Sequence, residues 1–474
     1  MNEKKINNPL GTEPVGTLIR KFAIPSIISM LVMSFYNIVD QFFIGRTVGP
    51  LGNAATNISF PLTTLCIATA LAFGIGGAAG FNLNMGAGNK EKAIHFVGNA
   101  ITMMFFIGIL VTIITSVFLK PMLVLFGAPD SAGAHSVLGY SVEYVRVLAL
   151  GFPFAILSAG GAHLIRADGS PRYSMICNVA GAFCNVILDY LFVMRFGWGM
   201  TGAATATVIG QVLSFSMVVY YLVHYKTATI EKKYLVPQRE IVLKTVHLGM
   251  AQCLNQLAIM VVQIVMNKSL TYYGAVSSYG QEIPLACVGI IMKVNQVYFS
   301  ICIGVSQGMQ PIASFNRGAN QFARVRKAYK IACITNTVVS SIAFLIFQLF
   351  PRQIIGIFGE GSDAYFLFAE KFFRIFLFMT FLNGIQPITS TFCTAIGEPN
   401  KGAFLSLTRQ IIFFLPLLIV MPMLFMQFGE EGINGIMYTA PISDFLAAAA
   451  SLLMIRKIFS GFYELEKEME VQNN

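Results

Sequence analysis

The chain has 474 residues, 55% of them hydrophobic and 11% charged, with 32 Lys and Arg against 22 Asp and Glu. Soluble globular chains are about 25% charged, so this composition, with a mean hydropathy of +0.68, excludes an ordinary soluble domain and predicts a polytopic membrane protein. The net charge of +10 does not predict nucleic-acid binding, because the basic residues are scattered through loops, where they act as topogenic charge.

The first twenty residues, MNEKKINNPLGTEPVGTLIR, contain no apolar h-region and no small-residue cleavage site, so the first apolar run is expected to act as the insertion signal. That run, Phe22 to Gly45, reads FAIPSIISMLVMSFYNIVDQFFIG and is long enough to cross a hydrocarbon core of about 30 Å. It carries one carboxylate, Asp40. A carboxylate in such a helix costs on the order of 2.5–3.5 kcal/mol, so it should face protein or water rather than lipid. Helical spacing puts Met33, Tyr36 and Asn37 on the same face, and Pro25 is the expected helix bend.

Apolar runs punctuated by Gly, Pro and charge predict twelve spans, near 18–45, 51–82, 94–119, 136–165, 172–194, 200–224, 240–267, 277–310, 328–349, 364–394, 402–427 and 433–456. Basic residues concentrate in alternate loops: Lys90 and Lys92 after the second span, Arg166 and Arg172 after the fourth, Lys226, Lys232, Lys233, Arg239 and Lys244 after the sixth, and Arg317, Arg324, Arg326, Lys327 and Lys330 after the eighth. By the positive-inside rule both termini are expected to be cytoplasmic, in a multi-pass protein of the plasma (inner) membrane.

The chain also repeats itself. At an offset of 228, Arg146, Ala167, Gly169 and Pro171 align with Arg374, Ala395, Gly397 and Pro399; at an offset of 232, Gly76, Asn84, Gly86 and Ala87 align with Gly308, Asn316, Gly318 and Ala319. An even number of spans per half gives both halves the same orientation. The expected fold is therefore all-α, with two six-helix bundles related by a pseudo-two-fold axis along the membrane normal, a plan used by transporters. The expected units are a tail (1–17), an N-lobe (18–225), an inter-lobe loop (226–239), a C-lobe (240–457) and a C-terminal tail (458–474).

Three polar positions fall at similar depth. Asp40 and Asp189 each lie about five residues from the outer ends of spans one and five, and Thr207 about seven from the outer start of span six, roughly 8–10 Å inside the boundary. Asn185 and Asn178 lie one and two turns from Asp189. With Tyr36, these groups offer acceptors for Na⁺ or a shared proton, since two adjacent carboxylates repel as anions; a buried polar network that fixes packing is the alternative. In the second half, Glu282 and Lys293 share a face about 16 Å apart, while Asn255, Gln256 and Gln263 add hydrogen-bonding capacity to span seven. Glu143 with Arg146 and Glu370 with Arg374 have the spacing of helical ion pairs.

The eight cysteines lie in apolar stretches without metal-ligand spacing, so reduced packing thiols are expected. The 23 Met and 41 Phe suit a pliable cavity for varied ligands and equally suit lipid-facing and core positions. The sequence has no G-x-S-x-G elbow, H-E-x-x-H pair or P-loop. Neither an enzyme nor a cofactor is expected, and any energy source should be an ion gradient.

The first-span IPSIISMLVMSFYNIVDQFFIG, the loop RADGSP followed by NVILDYLF, and GMTGAATATVIGQ opening span six resemble the multidrug and toxic compound extrusion (MATE) transporters, over nearly the whole chain. The resemblance implies export of bulky, amphipathic, often cationic compounds in exchange for H⁺ or Na⁺, by alternating access, without a cofactor and with a complete transport unit in one monomer. It places the coupling cation in the N-lobe at Asp40, Asn185, Asp189 and Thr207, with Tyr36 nearby, and makes Pro25 the point where the first helix bends. Another branch has a carboxylate in span seven, where this chain has Asn255 and Gln256. Met33, Asn37, Asn178, Asn255, Gln256, Glu282 and Lys293 are the expected substrate-cavity residues. The runner-up is a lipid-linked saccharide flippase of the same superfamily, with a non-transporting receptor or membrane enzyme further behind.

Overall fold

The computed structural model describes residues 8–128, 136–280, 282–357 and 363–473. Among these residues every regular element is helical. The first three spans are single helices, Val15–Thr47, Pro50–Gly86 and Lys90–Val117. The fourth is Val137–Leu148 joined by the 3₁₀ turn Ala149–Gly151 to Phe152–Ala167. The fifth passes from α-helix, Pro171–Asp189, into a π-helical turn, Tyr190–Arg195, and the sixth is Gly199–Val223. In the second half the spans are Arg239–Val276, Glu282–Gly318, Phe322–Leu349, a broken tenth, an eleventh with a π segment at Thr408–Phe414, and Gly432–Asn473.

Eleven of these are long and apolar enough to cross a membrane as single runs. The twelfth is the tenth span, which is divided into Asp363–Phe376, Thr380–Asn383 and Ile385–Ala395. Its break at 377–379 lies 228 positions after the 3₁₀ turn at 149–151, so the two halves interrupt the same span at the same point. The final helix continues to Asn473, through the segment read from sequence as a tail, because Arg326 pairs with Glu466 at 2.8 Å and stacks on Tyr463. The first span is one continuous helix that includes Pro25, the residue at which the sequence predicts a bend; the ring removes one backbone donor without ending the helix.

The halves meet through glycines. A Cβ on Gly86 would strike the Phe315 carbonyl and Ala319, and a Cβ on Gly318 would strike the Leu83 carbonyl and Ala87. These residues correspond at the offset of 232, so spans two and eight cross at the axis relating the halves and make the same contact in both directions. Further along, Gly76 lies against Thr245 and Gly249, Gly249 against Ala72, Gly308 against Ala23, and Gly304 against Ile27. All of these contacts lie toward the face that carries both chain termini. The hydrogen bond between the halves farthest from that face is Ser34 Oγ to Ser300 Oγ, 2.6 Å. Beyond it no hydrogen bond joins the halves among the described residues, and Met33 and Asn37 are exposed.

The cores cross the sequence boundary. Leu18, Ile19, Phe22 and Ala23 from the start of span one are buried with Val305, Ile312, Val325, Phe392 and Phe462 of the second half, whereas Ile44 near its end belongs to the first-half core. Span seven does the reverse, with Ile241 and Leu248 packed on Ala79 and Phe96. The linker between halves is fastened to the first half. Asp168 accepts from Lys226 N (2.8 Å), Thr227 N (3.2 Å) and Tyr221 Oη (2.9 Å), and Asn99 donates to Tyr234 O (3.1 Å) while accepting from Gln238 N (2.6 Å).

Forcing side chains into such contacts costs about 1–3 kcal/mol or more. Gly86→Val and Gly76→Val should each lower the Tm of the detergent-purified protein by several degrees, whereas Gly461→Val, where a Cβ meets nothing within 4 Å, should leave it unchanged. Equal melting of all three would show that the glycine seam does not hold the halves together.

Candidate functional site

Depth along three helices decides where the polar groups meet. Asp40 lies two turns before the end of span one, Asp189 is the last α-helical residue before the π turn of span five, and Thr207 lies two turns into span six. A π turn shifts the register of the side chains that follow and is often found at functional sites. Asp189 is fully buried, Asn185 is 2% exposed and Thr207 8%. The Asp40 and Asp189 carboxyl groups lie within hydrogen-bonding reach of each other. In the orientation its neighbours demand, the Asn185 amide donates to Asp189 Oδ2 at 3.2 Å and accepts from Thr207 N at 3.1 Å and Thr207 Oγ1 at 3.3 Å.

The sequence-predicted residues Tyr36, Asp40, Asn185, Asp189 and Thr207 thus lie together, with Tyr36 half-buried beside both carboxyls. Asp40 Oδ1 and Asp189 Oδ1 are both buried without a hydrogen-bond donor. Leaving a buried acceptor unsatisfied costs about 1–3 kcal/mol, more when it is charged. Two such atoms on facing carboxyls form an arrangement that a proton or a small cation relieves.

Sequence reading missed Tyr144. It is buried in span four, reaches Thr207 with its hydroxyl, and lies near Asp40, Asp189 and Tyr36. The available signal was its depth, since Tyr144 lies seven residues after Val137 at the start of span four; beside it, the Glu143 carboxylate Oε1 accepts from Thr201 N (3.2 Å) and Thr201 Oγ1 (2.6 Å) at the start of span six. That pairing corrects the expected Glu143–Arg146 ion pair. Likewise Glu370 pairs with Arg352 at 3.6 Å rather than with Arg374. In both cases a partner on another element displaces the weak pair within one helix.

Among the described side chains, none of the expected cavity residues joins the carboxyl cluster through a hydrogen bond or ion pair. Asn37 Nδ2 donates to the Met33 carbonyl of its own helix at 2.9 Å. Asn178, Asn255, Gln256 and Lys293 are half-buried on their spans, and Gln263 donates to Asn267 Oδ1 at 3.1 Å. The Glu282 side chain lies outside the described residues.

The second half holds a buried ion pair that sequence reading also overlooked. Arg409, in the π segment of span eleven, donates through Nε to Asp444 Oδ1 of span twelve at 2.6 Å, with side chains 13% and 4% exposed. The guanidinium also lies over Phe299 of span eight, 5.8 Å from its ring centre. Both residues stand in otherwise apolar runs, where an ionisable group is itself a signal.

Two similar bundles joined by one linker, with buried charged groups inside each and an axis between them, are the plan of a membrane transporter. A family model described as MatE matches residues 25–191 and again 253–420, one match in each half, and the chain belongs to that family. It is 26% identical over 437 residues to the multidrug export protein MepA of Staphylococcus saprophyticus, with 92% of each chain covered. The probable multidrug resistance protein YoeA of Bacillus subtilis is 24% identical over 385 residues, 79% of this chain and 80% of that one. Among solved structures, a MATE protein crystallised in complex with MaL6 superposes with a TM-score of 0.88 at 22% identity, covering 97% of this chain and 99% of that one.

Removing one member of a buried ion pair costs about 3–5 kcal/mol, whereas replacing both with apolar groups is often neutral. Asp444→Asn should therefore sharply lower the Tm in detergent, and the double variant Arg409→Met/Asp444→Leu should recover most of it. A double variant no more stable than the single one would sink the view that the pair acts as a packing unit.

Proposed function

We propose that this protein is a secondary active exporter of bulky, amphipathic, often cationic compounds, driven by exchange for H⁺ or Na⁺ at the Asp40–Asp189 pair. The observation that carries this reading is the pair itself, two carboxyls in reach of each other with their Oδ1 atoms buried and unbonded. The names of the relatives support the substrate class. In this reading the face carrying the termini is cytoplasmic, in the plasma membrane, and the chain works as a monomer because both halves of the transport unit are present.

The coupling runs through the first span. Its outer part holds Asp40 and Tyr36, while its beginning is buried in the core of the second half. A proton or cation held between Asp40 and Asp189 cancels their repulsion and draws span one toward span five. The same helix crosses span eight at Gly304 and Gly308, so the shift reaches the seam between the halves. Substrate and cation then favour different states of one cleft, as linkage requires of an exchanger.

Efflux of a fluorescent cationic dye from proteoliposomes tests this under an imposed pH gradient and then a Na⁺ gradient. Wild-type protein should export dye under one gradient, and Asp40→Asn or Asp189→Asn, folded by size-exclusion profile, should lose roughly 10-fold or more of that flux. Undiminished export by either folded variant would refute the coupling site. No dye movement under either gradient would refute drug export and turn attention to a lipid-linked saccharide.

A further inference from the structure

Where span three ends and span four begins, the surface holds a groove of about 480 Å³ lined by Val117, Leu119, Val142 and Val145 together with two cations, Lys120 and Arg146. Lys120 lies on the short helix Leu119–Leu125 and Arg146 on Val137–Leu148, and both side chains are exposed. None of the ion pairs among the described residues includes either one. Glu143, the carboxylate nearest in sequence to Arg146, is held by Thr201.

The second half shows what the described residues of the first lack. At the offset of 228, Arg146 corresponds to Arg374 and Val142 to Glu370. Glu370 pairs with Arg352 of the short helix Pro351–Gly356 at 3.6 Å, and Arg352 lies over Phe366 at 5.2 Å. The second half therefore supplies its own anion to the corresponding corner. Among the described residues, the first half puts Val142 there, and two cations face a groove with apolar walls.

We propose that this groove binds the anionic headgroup of a bilayer phospholipid, with the phosphate between Lys120 and Arg146 and an acyl chain against Val117 and Val142. Arginine and lysine are the side chains suited to phosphate oxygens. A membrane lipid is favoured over a free anion because the neighbouring surface is apolar: Val117 is 67% exposed, Leu150 62% and Leu125 80%. Apolar surface of this kind in a spanning protein faces acyl chains. The proposal requires only that the chain sits in a bilayer, so it stands or falls apart from the export reading.

Native mass spectrometry of the detergent-purified full chain, titrated with phosphatidylglycerol or phosphatidylcholine, tests it. The wild type should bind one phosphatidylglycerol roughly five- to ten-fold more tightly than phosphatidylcholine. Lys120→Gln/Arg146→Gln should lose that preference. So should Val142→Glu, which keeps both cations but installs the carboxylate of the second half; thermal melting at the wild-type temperature would establish that it folds. Retention of the preference by either folded variant would overturn the site. Displacement of the lipid by millimolar inorganic phosphate would overturn the lipid assignment and leave a small-anion site.

Discussion

The close approach of backbone to backbone where spans two and eight cross is the constraint on which the rest of the molecule depends. Gly86 and Gly318 sit against each other's helices, and Gly76, Gly249, Gly304 and Gly308 continue the seam away from the face that carries the termini. In a bilayer there is no hydrophobic driving force between helices, so association relies on packing and on small residues that let backbones meet. The seam fixes where the halves touch and, by leaving off near Ser34 and Ser300, where they separate. The carboxyl cluster of Asp40 and Asp189 lies beyond that point along span one, on the side where the halves share no hydrogen bond among the described residues.

The two halves share a backbone plan and differ in how they use buried charge. The same break interrupts spans four and ten, and each half has a π segment, at Tyr190–Arg195 and Thr408–Phe414. In the first half the π turn follows Asp189, which faces another carboxyl. In the second half the π segment holds Arg409, already matched by Asp444. Like charges leave a site that responds to an added cation, whereas opposite charges close on themselves. Duplication supplied the scaffold, and the substitution of individual side chains gave each half a different electrostatic character.

Much of the carboxyl site was legible because helical rise converts sequence position into depth. Counting from the ends of spans one, five and six was enough to place Asp40, Asp189 and Thr207 at one level, and the one-turn spacing added Asn185. Tyr144 lies at the same depth by the same count, seven residues after Val137 at the start of span four, but tyrosine is common in spans near the interface and does not stand out as a carboxylate does. The Glu143 and Glu370 pairings were misread because spacing within one helix identifies a possible partner and says nothing of a better one on a neighbouring helix, here Thr201 and Arg352.

By itself the sequence determined the membrane class, the number and order of spans, and the duplication, since each of these follows from hydropathy, length and repeated residues along one dimension. It also determined the depth of the first-half carboxylates. Only the tertiary structure decided that the start of span one belongs to the core of the second half, that Arg409 meets Asp444, and that repeated glycines form one seam. Those outcomes depend on which helix faces are neighbours, and a single chain's periodicity marks a buried face without saying what it is buried against.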